Sequence, residues 1–343
     1  MCWGCRGRSE GGVAVTRPTR LASGPGGFPA CRSILFVPGD RPERYENALG
    51  AGADAVCIDL EDAVPSGRKG EARKAVAGFL AARLHGPGGG DSTETSFRLA
   101  GGSDRTSVSS PVMLAVRVND LASREGARDA AELARCSPPD AFMLPKVRTG
   151  SDVRDAAGRL PSASALIPLI ETARGLENAV EIAACDGVAA LVFGGFDLAI
   201  ELGAEPRWEA LVYARSRVVH AAALGGLDAV DMPSRDFGEM SGLREEAAKA
   251  RQLGFTGKVA IHPAQVPVIH GVFTPSPEEV QRAREIVEAY RAAGGSAVAL
   301  DGRMVDRPVV EAARRIIQRA HFAPVPEKPP PEPPTRPAPP SAE

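Results

Sequence analysis

Residues 165–199 read ALIPLIETARGLENAVEIAACDGVAALVFGGFDLA. Two apolar runs, 166–170 and 188–193, are each followed by a carboxylate, Glu171 and Asp197. Between them, 175–184 places Leu176, Val180, Ile182 and Ala183 at helical spacing. The order is strand, acid, helix, strand, acid. In a repeated β/α chain the C-terminal ends of parallel strands meet on one face, where chemistry collects. Two readings of the acids stand at this point. A hard cation such as Mg²⁺ takes one or two protein carboxylates and fills its other positions with water and substrate oxygens. Equally, acids at strand–helix junctions cap the helices that follow.

Outward from this stretch the alternation continues. Short apolar runs predict strands at 33–39, 54–60, 112–118, 140–147 and, beyond the quoted segment, 227–232 and 258–261. Helical spacing falls between them at 45–50, 69–84, 124–134, 207–223 and 243–253. Eight strands alternating with helices predict an α/β fold, a (β/α)₈ TIM barrel. A doubly wound open sheet competes, but the turn after the first strand lacks its G-x-G-x-x-G fingerprint. Past the barrel, 277–293 reads as a helix with Pro in its first turn, 294–300 as a loop or short strand, and 308–320 as a last helix. The domain reading is a disordered leader over 1–31, a barrel over 32–273 with a flexible Gly/Ser-rich insertion at 86–110, a C-terminal helical extension over 274–322, and a Pro-rich disordered tail over 323–343.

Composition narrows the class. The chain has 343 residues, 43% of them hydrophobic, and a net charge of −2, so nothing directs it to nucleic acid or an acidic membrane surface. No apolar run approaches the roughly 18–20 residues that span a bilayer. The six cysteines are scattered and read as reduced thiols; Cys2-x-x-Cys5 lacks a second ligand pair. The Arg-rich, acid-poor start has no apolar signal core; it fits a cytoplasmic protein with a low-complexity leader, and equally a mitochondrial matrix address.

Candidate chemistry gathers at strand ends: Glu61, Asp62, Arg117, Lys146, Glu171, Asp197, Asp231 and His262. Arg117 lies inside the apolar run AVRVN, and a buried guanidinium needs an anionic partner. Glu61 or Asp62 can supply it, and the same guanidinium can hold a substrate oxyanion. Lys146, after Pro145, raises a Schiff-base amine, a role that needs a desolvated amine beside a carbonyl pocket. His262 reads as a hydrogen-bonded core histidine, and His85, His220, His270 and His321 show no ligand spacing.

At these residues a resemblance emerges. SILFVPGDRPERYENAL, DAVCIDLEDAV, VRVND, MLPKV, IETARGLENAVEIA, FGGFDLA, LDAVDMPSRDFGEM, GFTGKVAIHPAQVPVIHGVFTPSPEEVQRAREIVEAY and GRMVDRP are similar, in order and spacing, to the citrate lyase beta-subunit-like family of the HpcH/HpaI aldolase superfamily. The match runs over about residues 32–321, apart from the insertion.

That resemblance implies a (β/α)₈ barrel with a helical extension, assembled as a homotrimer or hexamer. It implies Mg²⁺ on Glu171 and Asp197, substrate contact by Arg117, and support of the metal waters and of Arg117 by Glu61 and Asp62. It implies that Asp306 acts as acid/base in a neighbouring subunit's site, and that Arg41 touches CoA. The activity implied is Mg²⁺-dependent carbon–carbon lysis of a short 3-hydroxyacyl-CoA, of the malyl-CoA or citramalyl-CoA type, to acetyl-CoA and a 2-keto acid. The alternatives are a thioesterase or a malate-synthase-like condensing enzyme on the same scaffold, the beta subunit of a citrate lyase complex, and a non-catalytic CoA-ester-binding barrel. Phe196 departs from the pattern, standing where relatives often carry another acid. G-D-R-P-E-R and I-E-T-A-R-G look more like stand-alone, CoA-using members than complex subunits.

Overall fold

A computed structural model of the chain describes residues 31–85, 112–236 and 240–322. The leader up to residue 30, the 86–110 insertion and the Pro-rich tail lie outside the described residues. Cys31, expected in the leader, is fully buried at the base of the barrel.

The first half of the barrel runs β1 (Ser33–Pro38), α1 (Tyr45–Leu49), β2 (Ala55–Asp59), α2 (Lys69–His85), β3 (Met113–Arg117), α3 (Arg124–Leu133), β4 (Ala141–Leu144) and α4 (Gly150–Arg159). The second half runs β5 (Ala165–Ile170), α5 (Ala173–Glu177), α6 (Ala179–Ala183), β6 (Ala190–Phe193), α7 (Gly195–Leu202), α8 (Trp208–Gly225), β7 (Asp228–Asp231), α9 (Met240–Leu253), β8 (Gly257–Ala260) and α10 (Gln265–Phe273). All eight strands are parallel, and Ser33 pairing with Lys258 closes β1 onto β8. The sequence predicts this architecture and its eight strands. It does not predict α4, α7 and α10, and the single helix expected over 175–184 is two, divided at Asn178.

Strand alternation sorts the side chains into two cores. Ile34, Ala55, Cys57, Met113, Ala115, Met143, Ile167, Val192, Val230 and Val259 fill the interior, while Leu35, Val56, Ile58, Leu114, Val116, Phe142, Leu191 and Phe193 face the helices. That parity decides which strand-end charges reach the mouth. Asp59 and Arg117 continue the inward rows of β2 and β3, and Glu171 continues that of β5. Asp231 falls on the opposite parity. It is buried behind the wall, where Oδ1 accepts from Arg215 Nε (2.9 Å) and Oδ2 from Lys258 Nζ (2.8 Å). Arg215 also lies over the rings of Phe193 and Trp208. Asp231, a candidate from the sequence, therefore belongs to a wall-to-helix charge network and not to the mouth.

The extension consists of α11 (Pro277–Ala292), the antiparallel pair β9 (Val298–Leu300) and β10 (Arg303–Val305), and α12 (Arg307–Phe322). The α11 N-terminus is set by a capping box in which Ser276 and Glu279 exchange side-chain and backbone hydrogen bonds, with Pro277 opening the helix. Among the described residues no helix is long and apolar enough to cross a membrane.

Candidate active site

The mouth is built on a fixed arginine. Arg117 donates Nε to Asp59 Oδ1 and Nη2 to Asp59 Oδ2, each at 2.7 Å, a fork-on-carboxylate pair in which Asp59 is fully buried and the Arg117 side chain is 11% exposed. Asp59 also accepts from the backbone N–H groups of Glu61 (2.8 Å) and Ala63 (3.0 Å), so it shapes the loop that carries Glu61. Lys69 Nζ finishes that loop by donating to the carbonyls of Leu60 and Glu61 and to Asn119 Oδ1. Arg117 Nη1 lies 2.8 Å from Glu61 Oε2, an ion pair in which the N–H misses the oxygen, so the buried Oε2 has no hydrogen-bond donor. Sequence reading missed Asp59 and put Asp62 in its place. Asp62 is exposed, and Asp59 and Glu61 hold the guanidinium.

Glu171 sits beyond the end of β5 with only 2% exposure. It is not the cap of the next helix, because Thr172 is: its hydroxyl accepts from Gly175 N–H at 2.9 Å. Glu171 Oε1 instead accepts the backbone N–H of Lys146 at 2.7 Å. Asp197 lies in the first turn of α7, whose N-cap is Gly194 without side-chain capping. A Cβ at Gly194 would stand 2.7 Å from Glu171 Oε2, so this glycine makes room for the carboxylate.

Lys146 joins the two acids. Its ammonium donates to Asp197 Oδ2 and lies 3.4 Å from Glu171 Oε1. Its backbone is left-handed, φ 55°, which costs a non-glycine residue about 1–2 kcal/mol. Burial works to lower its pKa, but Glu171 and Asp197 outweigh it and raise the value. That holds the amine protonated, opposite to what a Schiff-base nucleophile requires.

The electrostatics mark a site short of positive charge. Burial pushes Glu61 up to about 8, only partly offset by Arg117, with Glu171 and Asp62 adding to the rise. Burial likewise pushes Glu171 up to about 7 against the pull of Lys146. Among the described residues the ion pairs of Asp59, Glu61, Glu171 and Asp197 are with Arg117 and Lys146, four carboxylates to two cations. A divalent cation fits that deficit, and the orphaned Glu61 Oε2 fits a metal-bound water as its donor. Among the described residues no three His, Cys, Asp or Glu converge as a metal cluster, so the protein would offer Glu171 and Asp197 alone, a number that suits Mg²⁺. A cavity of about 510 Å³ opens beside them, lined also by Arg148, Thr172 and Arg174.

The remaining candidates lie elsewhere in this chain. Arg41 is exposed on the loop after β1. Asp306 is half-buried on the extension, where Oδ1 accepts from Val309 N–H at 3.3 Å at the start of α12; no hydrogen bond or ion pair joins it to the Glu171 group. His262, expected in the core, is exposed, and its Nδ1 accepts from Ala264 N–H in the turn after β8. His270 is the half-buried histidine at the base of the barrel, where its Nε2 meets Ser33 Oγ at 2.8 Å.

A closed parallel barrel whose mouth gathers buried carboxylates around a fixed arginine has the build of a barrel enzyme. Comparison with known proteins places it further. Residues 32–106 and 105–263 match the HpcH/HpaI aldolase/citrate lyase family, and residues 205–325 match the C–C bond lyases of the TIM-barrel fold. The chain belongs to the HpcH/HpaI aldolase/citrate lyase family. It is 34% identical to the citrate lyase subunit beta of Escherichia coli K12, covering 87% of this chain and 95% of that protein. It is 33% identical to a (3S)-malyl-CoA thioesterase of Cereibacter sphaeroides, covering 84% and 94%. Among solved structures, the CitE protein of Mycobacterium tuberculosis in complex with magnesium, acetoacetate and coenzyme A is 33% identical, with a TM-score of 0.68 over 85% of this chain and 98% of that one. The family therefore includes both lyase subunits and thioesterases, and a member crystallised with magnesium, a keto acid and CoA.

Proposed function

We propose that this protein is a stand-alone, Mg²⁺-dependent carbon–carbon lyase that cleaves a short 3-hydroxyacyl-CoA, of the malyl-CoA or citramalyl-CoA type, to acetyl-CoA and a 2-keto acid. The observation that carries the reading is the pairing of Glu171 and Asp197 beside a bidentately fixed Arg117 in one buried, anion-rich mouth. Glu171 and Asp197 would hold Mg²⁺, which when bound supplies Lewis-acid polarisation of the keto-acid half.

The chain's own groups account for the rest. Cleavage passes the hydroxyl proton to a water beside Glu61, breaks the C2–C3 bond and leaves the electron pair on the thioester as an enolate. Arg117, immobilised by Asp59, presents a preoriented cation to the oxygen on which charge develops. Glu61, held high by burial, is placed to keep a proton or share one with bound water. Asp306 of a neighbouring copy would deliver the proton to the enolate carbon, and would remove it in the condensing direction. Within one chain Asp306 caps its own helix, so that role would be filled across the subunits of a homotrimer or hexamer. Arg41, exposed on the loop after β1, would meet the CoA portion.

The similarity to a (3S)-malyl-CoA thioesterase favours a second reading, hydrolysis of the thioester by water at the same site. One experiment separates the two. Purified protein is incubated with malyl-CoA and with citramalyl-CoA, with Mg²⁺ or EDTA, and the products are identified by mass. Acetyl-CoA with glyoxylate or pyruvate, lost in EDTA, is the expected result. Free CoA with intact malate or citramalate would transfer the assignment to thioesterase.

A further inference from the structure

Lys146 addresses the proposed metal ligands twice. Its backbone N–H fixes Glu171 Oε1 at 2.7 Å, and its ammonium lies on Asp197 Oδ2 and within 3.4 Å of the same Glu171 oxygen. Its left-handed backbone lets one residue do both. An ammonium and a divalent cation thus seek the same two carboxylates, and each unit of positive charge there opposes the other. An ammonium moved from Asp197 needs another anion, and in this mouth Glu61 already faces Arg117. A keto-acid carboxylate entering the adjoining cavity is such an anion.

We propose that Lys146 sets the divalent-cation affinity of the Glu171–Asp197 pair, competing with the ion for these carboxylates and passing to the keto-acid anion once the ion is bound, so that ion and keto acid bind cooperatively. The proposal rests on the metal-site reading above but not on which reaction follows. By linkage, the keto acid then tightens metal binding by the same factor as the metal tightens keto-acid binding. Arg148 lines the same cavity, but its guanidinium pairs with Asp120 and its backbone with Asp152 and Asn178, so it supplies a control for charge without contact.

The test titrates Mn²⁺ into the purified full chain and follows free Mn²⁺ by electron paramagnetic resonance, with and without pyruvate. Lys146→Met is expected to bind Mn²⁺ alone roughly tenfold more tightly than wild type and to lose part of the pyruvate-induced gain, within the range usual for coupled sites. Lys146→Arg keeps the charge and stays near wild type, and Arg148→Met changes affinity far less than Lys146→Met. Lys146→Gln repeats the neutral case if thermal melting shows the Met variant unfolded. Neutral variants that bind Mn²⁺ no more tightly, or that keep the whole pyruvate effect, overturn the proposal. If Asp197→Ala abolishes binding in that same case, the metal site stands while the role of Lys146 falls. Wild-type binding that survives Asp197→Ala removes both.

Discussion

Arg117 and Asp59 face each other across β3 and β2, paired in register, and are joined by two hydrogen bonds of 2.7 Å. Removing one partner leaves the other buried and charged. Asp59→Ala is therefore expected to destabilise the fold by about 3–5 kcal/mol in chemical denaturation. Arg117→Lys keeps the charge but not the fork. It should lower kcat/KM by roughly 10²–10³ if the guanidinium stabilises developing negative charge. A Lys variant of undiminished activity would remove Arg117 from the chemistry.

This pair also shows where sequence reading reaches its limit. Short apolar runs bounded by turn residues locate all eight strands, because strands buried on both faces read as continuous apolar stretches. The bottom-up reading of Glu171 and Asp197 needed only their places after β5 and β6. Asp59 was overlooked because it was counted into an apolar strand; the available signal was a charge at the last position of β2 beside another at the last position of β3. The helices missed each carry a local obstacle: polar and small residues in α4, a glycine before α7 and another at its first position, Pro267 within α10. The contact of Lys146 with both acids depends on a left-handed backbone that no lysine announces.

Asp306 has its hydrogen bonds within its own extension, so a role in cleavage needs a second copy. Asp306→Ala should retain Mg²⁺ and ligand binding while losing turnover. Mixing it with inactive Asp197→Ala protein should restore part of the activity once subunits exchange. With exchange demonstrated by mass, persistent inactivity would count against an acid supplied in trans.

Gly194 is required by the carboxylate it faces. In Gly194→Val the added atoms meet Glu171, whose Oε2 would be 2.7 Å from the new Cβ, so the side chain must shift. Metal affinity is expected to fall at least tenfold, since a coordinating oxygen tolerates little displacement. Calorimetric titration with Mn²⁺ checks this; unchanged affinity would show that Glu171 does not ligate from this position.

His270 gives the protein a pH dependence remote from the mouth. Burial, helped by Arg32 and opposed by Asp54, depresses its pKa to about 4. Asp54 N–H donates to Ser33 Oγ (3.2 Å), and the same oxygen lies 2.8 Å from His270 Nε2, a hydrogen bond that a neutral imidazole makes in either tautomer, so the ring needs no proton to be held there. An unfolded histidine titrates near 6.5, and between that value and about 4 the unfolded chain binds a proton that the native state does not. Stability from this group is complete above about pH 6.5 and is lost as the pH falls towards 4. Between pH 7 and pH 5 the loss is about 2 kcal/mol. Asp54, whose pKa is lowered by Arg32 despite its burial, acts in a more acidic range, below its ordinary value of 3.8. His270→Gln keeps a hydrogen-bonding side chain but cannot titrate, so its Tm should change less between pH 7 and pH 5 than that of wild type. Equal slopes for the two proteins would show that another group carries the pH dependence.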